Sequence, residues 1–228
     1  MSKRISVIIP TLNEEAVIGA ALAQFGDLPG DWEIIVADSG SIDGTLEIAR
    51  SFAVTIVDGP PGRGASMNAG ATVATGEILL FLHADTHLPK TAHSSISRAF
   101  DDPSVAVTAF HLAMDGRGWR YRFIEIASKI RIRVQRTFFG DQAIAVRRCD
   151  FDRIGGYSEP VLMEDVALSH RLRREGKLRT LPAEVVTSAR RFEHSGFIRT
   201  VIFMSGLQLA YALGVPTRRL ARLYRHVR

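Results

Sequence analysis

Hydrophobic positions in the first half of the chain come in short unbroken runs. ISVIIP (5–10), WEIIVAD (32–38) and VTIVD (54–58) are rich in β-branched residues, and EILLFLHAD (77–85) is a longer run of the same kind. Such runs, of strand length and without polar alternation, predict strands covered on both faces. Helical segments lie between them. Asn13 is placed to cap the first, with Glu14 and Glu15 in its favourable first turn. Asp43 or Thr45 can cap the second, over 46–52, and the loop GPPGRG opens a third that passes through Asn68 to residue 74. This β-α-β-α order predicts an α/β fold, a mostly parallel sheet flanked by helices with right-handed crossovers.

The second half is more mixed. SVAVTAFHL (104–112) alternates like a strand, 119–136 is a basic amphipathic helix, and DQAIAVRR (141–148) is another strand. Gly155 and Gly156 mark a turn, 165–174 a helix, and 184–192 a late strand and loop. Residues 197–215 are apolar apart from Arg199 and a few neutral polar side chains. A membrane span takes roughly 20 predominantly apolar residues, so a buried or interfacial helix fits this segment better. Pro216 breaks it, and Thr217 can cap a final Arg-rich helix.

Ligands of parallel sheets sit at the carboxyl ends of the strands. Four polar loops converge there: 10–14, 38–43, 62–68 and 83–85. Asp38 and Glu14 can accept hydrogen bonds from a base or ribose edge. Gly40 allows close backbone approach. Arg63, between two glycines, offers a guanidinium to a diphosphate. Asn68 can orient a base or sugar, and Asp85 can hold a divalent cation bridging two phosphates. Taken alone, each has a plainer reading. Asp38 is a turn former, Asp165 a first-turn helix acid, Asp141 and Gln142 turn residues, and Arg190 and Arg191 a solvated pair. His111, His170 and His194 stand at no metal-ligand spacing and read as structural, and Cys149 has no placed histidine partner that would make it a nucleophile.

Composition narrows the class. The 228 residues suit one domain with a short appendage. The net charge of +5 is uneven, because 195–228 carries six arginines (199, 218, 219, 222, 225 and 228) and no acid. The rest of the chain is therefore close to neutral. A basic tail suits an anionic surface, though a solvated helix face is the plain alternative. No nucleic-acid motif accompanies it, so no nucleic-acid partner is expected. The single cysteine fits a reducing compartment. The first residues lack the apolar run of a signal peptide, so a cytoplasmic location is expected, peripheral on the inner face of a membrane if the tail binds lipid.

Together PTLNEE, VADSGSIDGT, RGASMN, FLHAD, GDQ and MED resemble the family 2 glycosyltransferases, over roughly residues 4–192. Within it they look most like the small bacterial single-domain set with LHAD in place of Asp-x-Asp. The resemblance implies a GT-A fold, a Rossmann-like nucleotide-diphospho-sugar domain over 1–194, followed by a helical tail over 195–228. It implies a UDP- or GDP-linked sugar donor. Pro10, Thr11, Asn13, Glu14, Asp38 and Gly40 would line the nucleoside pocket, and Arg63 and Asn68 would contact nucleotide or phosphates. His83, Ala84 and Asp85 would face the donor, with Asp85 the surviving ligand of a Mn or Mg ion. Asp165 would be the general base, supported by Glu164. Asp141, Gln142, Arg190 and Arg191 would shape the acceptor or phosphate site. The acceptor would be a lipid or lipid-linked hydroxyl if the tail meets a membrane.

FLHAD departs from that pattern at His83. Three readings stay open: His83 contacts metal or phosphate, or packs beneath a water-bound metal on Asp85, or no metal is needed and arginine neutralises the charge. Two other functions compete. A sugar nucleotidyltransferase would carry a Gly-rich basic loop after the first strand, where PTLNEE is acidic and lacks glycine. A catalytically inactive nucleotide-sugar sensor would not require the Glu164–Asp165 pair.

Overall fold

The computed structural model describes residues 3–158 and 162–225. In chain order the elements are β1 (Ile5–Thr11), α1 (Glu15–Ala23), β2 (Trp32–Asp38), α2 (Thr45–Arg50), β3 (Thr55–Asp58), α3 (Arg63–Val73) and β4 (Ile78–Phe81). There follow β5 (Thr86–His87), α4 (Ala92–Ala99), β6 (Val105–Met114), α5 (Trp119–Gln135), β7 (Ile144–Arg147) and α6 (Arg148–Arg153). The chain ends with α7 (Glu164–Glu175), β8 (Lys177–Thr187), α8 (Arg190–Ser195), α9 (Phe197–Ala212) and α10 (Thr217–Arg225).

One sheet runs through the body in the order β3-β2-β1-β4-β7-β6-β8-β5. β1, β2, β3 and β4 are mutually parallel where paired, as are β6 and β8, while β7 runs antiparallel between β4 and β6. The unbroken apolar runs have a direct cause. Ile5, Val7 and Ile9 face one layer, with Ile18 and Leu22 of α1 and Ile96 of α4, whereas Ile8 faces the other, with Met67 and Ala71 of α3 and Leu168 and Leu172 of α7. Both faces are dry, so period-2 alternation has no polar side to display. Each fully buried isoleucine of β1 contributes about 2–3 kcal/mol.

Several expected boundaries move. The run over 77–85 is not one strand: β4 stops at Phe81, and 82–85 is a connection that joins β5 beside the carboxyl end of β8. The Leu82 N–H still donates to the Ile8 carbonyl at 3.0 Å before the chain turns away. β7 is shorter than 141–148, because Gly140–Gln142 forms a 3-10 turn before it and α6 begins at Arg148. The late strand begins at Lys177, and 190–195 is helical. Asn13 does not cap α1. Its backbone is left-handed (φ 56°), and its side-chain oxygen is taken by another loop.

α3 lies close on β1 because Gly70 has no side chain. A Cβ there would sit 2.6 Å from the Ile8 methyl carbon. Gly70→Val is therefore expected to lower the unfolding free energy by about 2–3 kcal/mol through overpacking, measurable by urea denaturation.

Candidate active site

The carboxyl ends of β1 and β2 are laced by reciprocal hydrogen bonds. Ser41 Oγ accepts from the Asn13 N–H (2.9 Å), and Asn13 Oδ1 accepts from the Ile42 N–H (2.9 Å). Thr45 Oγ1 accepts from the Glu14 N–H (2.8 Å), Asp43 Oδ2 from the Glu15 N–H (3.2 Å), and Glu15 Oε2 from the Gly44 N–H (3.2 Å). Two loops that connect different helices thus behave as one rigid lip beside Pro10 and Thr11.

Asp38 is the anchor of that lip. Its carboxylate accepts four hydrogen bonds, from Thr11 Oγ1 (2.7 Å), Ser41 Oγ (2.6 Å), the Gly40 N–H (2.9 Å) and the Ser41 N–H (2.8 Å). A carboxylate has about four acceptor positions, so none is spare for a base or ribose edge. The side chain expected to read the nucleoside is instead 3% exposed and builds the loop that would do so. Burial alone would raise its pKa, but the hydrogen bonds from Ser41, Thr11 and Gly40 outweigh burial and hold it below the ordinary carboxylate range. Gly40, at φ +93°, supplies the backbone conformation that this turn needs.

Asn68 is similarly committed. Its Nδ2 donates to the Tyr157 carbonyl (2.9 Å) and its Oδ1 accepts from the Tyr157 N–H (2.8 Å). It pins the loop after α6 rather than presenting its amide to a base or sugar. Gln142 is fully buried, accepting from the Phe139 N–H (3.0 Å) and donating to the Phe110 carbonyl (3.1 Å). It clamps the GDQ turn to β6 and does not line an acceptor pocket.

The remaining candidates gather in two groups. In the first, the Gly140 N–H donates to Asp165 Oδ2 (2.7 Å), while Asp165 Oδ1 accepts from the Val166 N–H (2.8 Å). A Cβ on Gly140 would lie 2.5 Å from His83 Nε2 and 3.5 Å from Asp165 Oδ2. LHAD, GDQ and MED therefore meet at one point, where a larger residue than glycine would displace the His83 ring. Asp165 lies in the first turn of α7, where the helix dipole favours an anion. Glu164, 5% exposed, faces Arg63 Nη1 at 3.5 Å. Burial pushes the Glu164 carboxyl up, Arg63 pulls it down, Asp165 adds to the rise, and the net direction is upward.

In the second group, Arg190 Nη2 bonds Glu14 Oε2 at 2.6 Å and lies 3.6 Å from Asp85 Oδ2. One guanidinium so joins PTLNEE to LHAD. The Arg191 side chain is outside the described residues.

Several neighbours escaped the sequence reading. Arg131 of α5 lies 3.6 Å over the Phe139 ring. Burial lowers its pKa, against the pull of Asp141 and Asp165. The Tyr157 ring packs edge-on to Phe81 at 4.9 Å. Burial holds its phenol well above the ordinary value, and Asp165 and Glu164 add to that. Tyr211 of α9 is raised by burial and then by Asp165. The tail thus reaches the site: Leu207 and Leu220 share an apolar cluster with Met163 and Val166, which flank the two acids. Gly155-Gly156 beside Tyr157 was the one sequence signal for these contacts. The contacts of Arg131 and Tyr211 depend on helix placement. A separate cleft of about 620 Å³ is lined by His111, Lys129, Arg133 and Phe138 among others, and by none of the motif carboxylates.

The mixed, mostly parallel sheet flanked by helices is GT-A-like in fold. The chain belongs to glycosyl transferase family 2, whose family model matches residues 6–155. A PGL/p-HBAD biosynthesis glycosyltransferase of Mycobacterium bovis is 43% identical over 91 residues, covering 36% of this chain and 36% of that protein. The chain thus matches about a third of the length of that curated relative. Among solved structures, a mannosyltransferase from Pyrobaculum calidifontis in complex with GDP-Man and Mn2+ superposes with TM-score 0.64 at 23% identity, over 91% of this chain and 65% of that one. S. aureus TarS 1-349 in complex with UDP-GlcNAc gives 0.64 at 20% identity, over 81% and 58%. Likenesses at these identities bear on the fold.

Asp38→Asn is expected to cost about 2–3 kcal/mol at neutral pH, since donors aimed at a charged acceptor lose it. The sign with pH follows from the lowered folded pKa. The wild-type carboxylate stabilises at pH above its unfolded value of about 4 and loses that contribution as pH falls through the folded value. Chemical denaturation across that range should show wild type converging on Asp38→Asn under acid.

Proposed function

We propose that this edge transfers a sugar from a UDP- or GDP-linked donor to an acceptor hydroxyl, with inversion at the anomeric carbon. The observation that carries the reading is the Asp165 carboxylate, held by the Gly140 and Val166 N–H groups beside His83. Each oxygen retains an acceptor position, so the group is oriented without being saturated. In the proposed step Asp165 takes the acceptor proton as the acceptor oxygen bonds the anomeric carbon. The bond from that carbon to the diphosphate oxygen breaks, and the nucleoside diphosphate leaves with the electron pair. Buried Glu164 pairs with half-buried Arg63 beside the base, at the start of α7. The laced lip of Asn13, Ser41 and Asp38 shapes the nucleoside end. Arg190 faces the diphosphate.

Family members with Asp-x-Asp imply a divalent cation. Among the described residues no three His, Cys, Asp or Glu side chains cluster as a cage. Asp85 is one carboxylate at the expected loop, and Arg190 is a cation already beside it. Asp85 would hold a Mg or Mn ion, the kind of cation that takes only one or two carboxylates from the protein. Bound there, the ion would supply charge neutralisation to the leaving diphosphate, a task that Arg190 shares.

The LHAD subgroup reading, the division at residue 194 and a lipid or lipid-linked acceptor belong to the same proposal. So does a location at the cytoplasmic face of a membrane. The tail supports this with exposed Arg199, Arg218, Arg219 and Arg222. Among the described residues no helix is long and apolar enough to cross a membrane.

Calorimetric titration with UDP and GDP, each with Mn, Mg or EDTA, should give binding to one nucleotide. Binding that Asp85→Ala weakens only in the presence of metal would assign the ion to Asp85. Asp165→Asn should lower nucleoside diphosphate release from the matching donor by about 10³-fold and leave nucleotide affinity within a fewfold. Equal loss of binding and turnover would overturn the role given to Asp165.

A further inference from the structure

α5 presents an apolar stripe that no described residue covers. Trp119, Phe123, Ile126, Ile130 and Val134 are 74%, 53%, 57%, 58% and 76% exposed. Their spacing of three and four residues puts them on one helix face. The opposite face is the packed one, with Glu125 and Ser128 buried and Ile124 against Leu112 and Met114. Globular surfaces carry single exposed apolar side chains routinely, but five in helical register form a patch that calls for an occupant.

The stripe does not end with the helix. Trp119 meets Phe197 at 6.4 Å, and Ile198 and Ile202, 72% and 67% exposed, continue the apolar surface along the first turns of α9. Charge identifies the occupant. At 100° per residue, exposed Arg122, Lys129 and Arg133 flank one side of the stripe and exposed Arg120 the other. The single acid of α5, Glu125, is buried, paired to Arg122 at 2.9 Å and bonded to the Met114 N–H. An apolar strip edged by long cations, with a tryptophan at its end, is the composition of a helix lying in a lipid interface. A self-complementary protein interface would bring these cations against each other.

We infer that α5, together with the first turns of α9, is the surface by which this protein lies on an anionic lipid bilayer, apolar stripe in the acyl boundary and basic flanks on the headgroups. This goes beyond the basic tail, since most of the face belongs to the body of the domain. It does not rest on the transfer reading, and its test measures binding rather than turnover. It has one geometric consequence for the site. α5 also carries Arg131, whose guanidinium lies over the Phe139 ring beside the GDQ turn, so the docked helix sets the height of that turn above the bilayer.

The test is co-flotation of the full chain with phosphatidylcholine vesicles, with and without phosphatidylglycerol, followed by tryptophan emission. Binding to the anionic vesicles, weakened by salt, is expected. A blue shift should accompany it that Trp119→Phe removes, Trp32 remaining as the internal control. The triple variant Phe123→Ser/Ile126→Ser/Ile130→Ser should lose about tenfold or more in partitioning. Because these side chains are exposed, its thermal melt should match wild type; should it not, Trp119→Ser alone serves. Equal partitioning of wild type and variants would overturn the assignment, as would no binding to anionic vesicles. Sedimentation showing a wild-type dimer that the triple variant dissociates would give the face to a second copy of the chain instead.

Discussion

A sheet that is dry on both faces has nowhere to put chemistry except its ends. That constraint organises this molecule. β1, β2 and β4 are covered by α1 and α4 on one side and by α3 and α7 on the other, so a charge along their length would be desolvated without a partner. The polar loops therefore collect where the strands stop, and the parallel order brings the ends of β1, β2 and β4 to the same edge. The antiparallel β7 matters for the same reason. It delivers the GDQ turn to that edge from the opposite chain direction, beside Phe81.

At the edge, the polar groups divide into those that are spent and those that are not. Asp38 has its acceptor positions filled inside the protein, and Asn68 and Gln142 spend both ends of their amides on backbone groups. They fix loops that would otherwise be among the softest parts of the structure. Asp165, Glu14, Asp85 and Arg190 are held by fewer partners and keep capacity for a ligand. Backbone strain is concentrated in the same place. Asn13, Ala143 and Met163 are three of the four non-glycine residues with positive φ among the described residues, and each sits in a motif loop. Such conformations cost about 1–3 kcal/mol each and persist where the surroundings over-determine them.

The alternation of buried runs and helices was legible because burial on two faces leaves an unmistakable pattern in β1 and β2. The glycines and acids of the loops were legible as a set. Their individual roles were not, because a carboxylate that reads a ligand and one that holds a turn have the same sequence context. Asp38 shows this: only the positions of Thr11, Ser41 and the Gly40 N–H reveal that its acceptors are used. The end of β4 is hidden in the sequence because Leu82 and Ala84 are buried in the connection as they would be in a strand. The start of β8 is hidden in the sequence because its first residues, KLRT, alternate with charged side chains at a solvated end. The contributions of Arg131, Tyr157 and Tyr211 come from helix packing across long separations, which no local pattern encodes.

Met163 gives the tail a share in the geometry of the acids. Its left-handed backbone turns Glu164 and Asp165 into the site, and its side chain is gripped by Leu207 of α9 and Leu220 of α10. The cohesion of the last two helices and the aim of the Asp165 carboxylate are thus one thermodynamic quantity measured at two places. Substitutions in the Leu207–Leu220 contact and in the α7 turn should therefore be non-additive, their coupling energy reporting how tightly the last helices are tied to the Glu164–Asp165 turn.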